Sequence, residues 1–157
     1  MLIMIRKQFK ERSMRVYFSP MSRFEPYVLA VLRIVTAYAY LLNGTTKLFG
    51  IPMSEHPMPE VFSFMWTGSV LEVVLGVMLL IGFQTRLAAF ISSGMMAVAY
   101  FGFHAQVDNF WLPLNNEGEA AVLYCFIFLY LWVRGSGAWA VDKETYLPAT
   151  HTDTRRH

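Results

Sequence analysis

Glu72 stands alone in "VLEVVLGVMLLIGF", Val70 to Phe83, where every other residue is apolar or glycine. A carboxylate in such a stretch is costly unless it meets a partner, and groups placed this way serve as half of an ion pair or as a proton store. Arg33, in "LRIVTAYAYLLNGTTKLFG", is the partner the sequence offers, because guanidinium and carboxylate can share two parallel hydrogen bonds. A structural pair or neutral hydrogen bond and a proton relay are both open readings, as is an Arg33 that snorkels to lipid phosphate over a protonated Glu72. A second group converges near one mouth of the chain's helices: Asn43 and Lys47, His104, and Glu119, with Tyr40 and Tyr100 on the same polar stripes. Each has a plain reading too. Glu119 suits a capping box begun by Asn116, Lys47 suits a snorkelling anchor, and His104 suits an interfacial histidine. Their convergence is what suggests a pocket.

The elements that must position these residues are read from the apolar runs. The chain has 157 residues, 55% hydrophobic and only 15% charged, where soluble domains carry roughly 25% charge. Four runs approach the about 20 residues needed to cross a bilayer: Pro26 to Phe49, Val61 to Phe83, Leu87 to Phe103 and Glu117 to Val133. The expected fold is therefore an all-α membrane protein, a bundle of four transmembrane helices, with the bilayer as its first partner. Residues 1–24 form a basic N-terminal segment suited to the membrane surface, 25–135 the transmembrane domain, and 136–157 a polar cytoplasmic tail. Apolar residues precede basic ones in "MLIMIRKQFKERSMR", the reverse of a cleavable leader. Glu72 then lies roughly 16 Å from either helix end, too deep to reach water. Gly68 and Gly76, four residues to each side, give that face room for a neighbouring helix.

Orientation follows from the basic residues. Arg6, Lys7, Lys10, Arg12, Arg15 and Arg23 precede the first helix, Arg86 links the second and third, and Arg134, Lys143, Arg155 and Arg156 follow the fourth. The other two links carry Glu55, Glu60, Asp108 and Glu117, so both termini are expected in the cytoplasm. Arg33 and Arg86 each stand early in an outward-going helix, a faint sign of two repeated hairpins. Several chemistries lose support. Cys125 is the lone cysteine, so no dithiol relay operates within the chain, and no His/Cys cluster has metal-site spacing. No glycine-rich phosphate loop follows a strand, and the basic N-terminus is explained by lipid rather than by nucleic acid.

Three segments resemble the DoxX family: the arginine and glycine-x-x-lysine of "LRIVTAYAYLLNGTTKLFG", the glutamate and glycine-x-x-threonine-arginine of "LEVVLGVMLLIGFQTRLAA", and the glycine-glutamate of "NNEGEAAVLY". "RGSGAWAVD" resembles the family's closing turn, so the resemblance spans about Leu32 to Asp142. The pattern falls on Arg33, Gly44, Lys47, Glu72, Gly76, Gly82, Arg86, Gly118 and Glu119. It implies a four-helix protein of the inner membrane, associated with quinone-linked oxidoreductases acting on sulfur compounds or in oxidative-stress defence. On that expectation a quinone binds among the first three helices. Tyr40 or Tyr100 packs on the ring, Lys47, Asn43, His104 and Glu119 line its surroundings, and Glu72 with Arg33 handles the proton. No redox cofactor is encoded, so electrons would come from a partner subunit or a small donor. The alternative is a membrane scaffold or small-solute carrier without chemistry, and the Gly68–Glu72–Gly76 face leaves a homo-oligomer open.

Overall fold

The computed structural model describes residues 21–53, 57–105 and 108–142. The basic segment before residue 21 and the tail beyond 142, both read from sequence above, lie outside the described residues. Four α-helices run in order: α1 (Glu25–Phe49), α2 (Phe64–Ile81), α3 (Thr85–Ala99) and α4 (Glu119–Arg134), with α3 continuing as a π-helical turn over Tyr100–His104. Among the described residues there is no strand. Three helical segments, Glu25–Phe49, Phe64–Ile81 and Thr85–His104, are long and apolar enough to cross a membrane. The chain turns back at each loop. One end of the bundle, here the proximal end, gathers the start of α1, the end of α2, the start of α3 and the end of α4. The other end is distal.

Local chemistry sets the boundaries. Pro26 opens α1, where its missing N–H is not needed, and Gly50 closes it in the left-handed conformation at φ 64°. Ser63 caps α2 by accepting from the Trp66 N–H at 3.1 Å, so the helix begins three residues later than the apolar run alone suggested. Gly82, at φ 71°, ends α2, and Gln84 at φ 49° completes a tight turn into α3. The expected capping box at α4 is not formed. Gly118 is the cap residue, and the Asn116 side chain instead accepts from the Gly118 N–H at 2.9 Å. Glu119 therefore sits in the first turn of α4, not at its third position.

The burial pattern is that of a chain dissolved in hydrocarbon. Val28, Val35, Val74, Ile81, Leu87, Phe90, Leu123 and Phe126 face outward, while Arg33, Ser69, Glu72, Ser92 and Ser93 are buried. Outside the bundle apolar side chains lose nothing in lipid; inside it polar groups find partners. The core itself joins Leu29, Ala37, Tyr40, Leu75, Leu79, Ala88, Ala89, Phe128 and Leu131. α1 packs closely on α2, and α3 on α4, so the bundle is two hairpins laid side by side. Gly44 and Gly76 make the first crossing possible. A Cβ on Gly44 would lie 2.8 Å from Val73 Cγ2, and one on Gly76 3.1 Å from Leu41 Cβ.

Residues 136–142 are not a free tail. Ser136 is fully buried, the Ala138 N–H donates to Pro26 O at 2.9 Å, and the Val141 and Asp142 N–H groups donate to Ile81 O and Gly82 O at 3.1 and 2.8 Å. This strap runs across the proximal ends of α1 and α2. The folded unit thus extends at least to Asp142.

Candidate functional site at the Lys47–Glu72 pair

Glu72 does not meet Arg33. Both of its carboxylate oxygens accept from Lys47 Nζ, at 2.8 and 2.9 Å. The antiparallel register decides this. Gly44 packs level with Glu72, while Arg33 lies eleven residues earlier in α1, about 16 Å along the axis. Direction matters as well, because side chains tilt toward the N-terminus of their own helix. Glu72 leans toward the distal end, Lys47 leans back to meet it, and Arg33 leans proximally, away from both. The pair is asymmetric: the Glu72 side chain is 7% exposed and that of Lys47 is 39%.

Arg33 has a different task. Its guanidinium is buried and all five N–H groups donate to carbonyls: Nε to Ser136 O, Nη1 to Leu79 O and Leu80 O, Nη2 to Ala138 O and Trp139 O, at 2.7 to 3.2 Å. Leu79 and Leu80 lie in the last turn of α2, where carbonyls lack helical partners and a cation is favoured. Arg33 thus closes α2 and pins the strap in one contact. Asp142 performs the matching task for α3, accepting from the Gln84 and Thr85 N–H groups at 2.8 Å each. Partial burial would by itself raise the Asp142 carboxyl. The Thr85 and Gln84 donors and the nearby Arg33 charge outweigh it, and hold the group below the usual carboxylate range.

The other expected site residues divide. Asn43 and Lys47 line a distal cavity of about 550 Å³, walled also by Leu42, Thr46, Pro57, Pro59 and Met65. Tyr40 lies deeper, within the core. Its ring meets Phe128 edge-on at 4.9 Å and its hydroxyl donates to Met95 Sδ at 3.8 Å. Tyr100 and His104 do not line the cavity. The Tyr100 hydroxyl donates to Phe110 O at 2.7 Å, and His104 Nδ1 lies 3.0 Å from Asn116 O, so both fasten the loop between α3 and α4. Glu119 is exposed at the start of α4 and is likewise outside the cavity wall. Among the described residues no group of His, Cys, Asp and Glu could hold a metal ion.

The second hairpin repeats part of the first. Arg86 follows Arg33 by 53 residues, and its acceptors Trp132 O and Val133 O follow Leu79 O and Leu80 O by the same interval. Gly82 and Gly135, which end α2 and α4, share that spacing. At the same interval Glu72 corresponds to Cys125, Lys47 to Tyr100 and Tyr40 to Ser93. An arginine clamp at the end of a helical hairpin is therefore common to both halves and belongs to the fold. The Lys47–Glu72 pair occurs in one half only, where the other half carries Tyr100 and Cys125.

These helices, apolar outside and polar within, define a multi-pass helical membrane protein. Within that class the chain belongs to the DoxX family. Residues 28–105 match the DoxX family model, and a Haemophilus influenzae protein described as uncharacterized is 40% identical over 129 residues, covering 80% of this chain and 96% of that one. No solved structure matches the chain. The family model takes in Arg33, Lys47, Glu72 and Arg86, but ends before the strap and α4.

Proposed function

We propose that this chain is the inner-membrane subunit of a quinone-linked oxidoreductase, with the quinone ring in the distal cavity as substrate. The observation that carries the reading is the Lys47–Glu72 pair beside that cavity. About 550 Å³ lies within the range of small-molecule sites, and the lining has their usual make-up. Leu42, Pro57, Pro59 and Met65 supply apolar walls for a ring, and Asn43, Thr46 and Lys47 supply polar contacts for its oxygens.

A quinone supplies two-electron, two-proton chemistry when bound. The chain's own residues position it and handle the proton. Lys47 has three N–H donors, of which the Glu72 oxygens take two, and the third serves a ligand carbonyl. Glu72 orients Lys47, and its carboxylate is the group placed to accept a proton. Arg33 takes no part in this relay and is a structural clamp. Electrons come from a partner subunit or a small reduced donor.

In this reading α4 crosses the bilayer with the other three helices. Arg23, Arg86 and Arg134 mark the proximal end as the cytoplasmic side, with both termini there. The test is solvent extraction of the purified protein for carried quinone, comparing wild type with Glu72→Gln. Quinone retained by wild type and lost from a folded Glu72→Gln protein is the expected result. A folded wild type that never carries or binds quinone would transfer the assignment to a scaffold role.

A further inference from the structure

We infer that the Lys47–Glu72 site is served from the distal side alone, and that the proximal end is a seal against both substrate and protons. The inference rests on the cavity being a substrate site, but not on which substrate fills it. On the distal side the route is short. Lys47 reaches solvent, and the cavity it lines is walled by the last turns of α1, Met65 in the first turn of α2, and Pro57 and Pro59 between them.

Below Glu72 the way is closed in two layers. Tyr40, Leu79, Ala88, Phe128 and Leu131 are buried and packed together, with rings of Tyr40, Tyr124 and Phe128 in mutual contact. Under them lies the Arg33 guanidinium with every donor engaged. A fixed buried cation repels a proton or any other cation that would pass. The strap then covers Arg33 without a gap. A Cβ on Gly82 would stand 2.5 Å from Ala140 Cβ, and one on Gly137 would stand 2.7 Å from Pro26 O. Any proton taken or released at the pair is therefore exchanged with the distal compartment.

The experiment uses the full chain with Cys125→Ser and one new cysteine in the cavity wall, Thr46→Cys. Two reference chains carry Trp111→Cys, in the exposed distal loop, or Arg23→Cys, just ahead of α1 at the proximal end. Each is labelled with a membrane-impermeant maleimide in sealed vesicles of each orientation. Thr46→Cys is expected to react only in the orientation that labels Trp111→Cys. Reaction in the orientation that labels Arg23→Cys, or no reaction in either, would overturn the proposal. Asn43→Cys gives the same reading if Thr46→Cys does not accumulate. Distal labelling of a protein that binds no quinone would reject the substrate and leave the sidedness standing.

Discussion

Two buried charges in one membrane bundle have opposite roles, and their partners distinguish them. Arg33 is saturated by backbone carbonyls, whereas Glu72 faces a lysine that is itself partly exposed. Arg33→Lys should be severe, because a point charge with three donors cannot replace a fork with five. With each buried carbonyl left unpaired costing about 1–3 kcal/mol, a loss of about 3 kcal/mol or more is expected in detergent melting. Lys47→Met should cost less, about 1–3 kcal/mol, since the pair is partly solvated on its Lys47 side. Adding Glu72→Leu to Lys47→Met should recover most of that loss while leaving quinone binding weakened. The need for a partner at Glu72 was legible in the sequence; the partner was not. Composition says that two charges lie in neighbouring helices, but only the register says which are level. Gly44 and Gly76 carried that register, as points where α1 and α2 approach too closely for a side chain.

At the scale of helices, the crossing of α1 and α2 depends on those glycines. Gly44→Ala should destabilise by about 1–3 kcal/mol, because its Cβ would press on Val73, Glu72 and the Ser69 carbonyl. Gly94→Ala, on the open face of α3, should be tolerated, since nothing lies within 4 Å of the added atom. Thermal melting of both variants checks the contrast. The start of α3 depends on Asp142, whose folded carboxyl is held below its ordinary value. Its stabilisation is therefore complete above the unfolded value of about 4 and fades as pH falls through the lower folded value. Asp142→Asn should lower stability by about 1 kcal/mol at neutral pH, with the difference from wild type disappearing in strong acid. The four helices were readable from apolar runs, to within a few residues. Their caps were less so: the strap that supplies Asp142 and engages Arg33 looked like a polar tail, because glycine, serine and alanine carry no hydropathy signal for docking.

As a whole the molecule is two hairpins of one design, only one of which bears the Lys47–Glu72 ion pair. The arginine repeat hinted at this in the sequence, but the equivalence emerged from the matching carbonyl acceptors of Arg33 and Arg86. Tyr100, His104 and Glu119 share the distal end with Lys47 without lining its cavity, a distinction that position along the helices does not carry. If α4 crosses the membrane, reporters fused at either terminus should both be active in the cytoplasm. Opposite locations would require α4 to lie on the surface. The proposed function requires Lys47, held by Glu72, to contact the substrate. Equilibrium binding of a short-chain quinone in nanodiscs by wild type and Lys47→Met tests that contact. One charge-assisted hydrogen bond of about 1.5–3 kcal/mol corresponds to at least about a tenfold loss of affinity, and that loss is predicted with the fold intact. Equal affinity in a folded Lys47→Met protein would contradict the account.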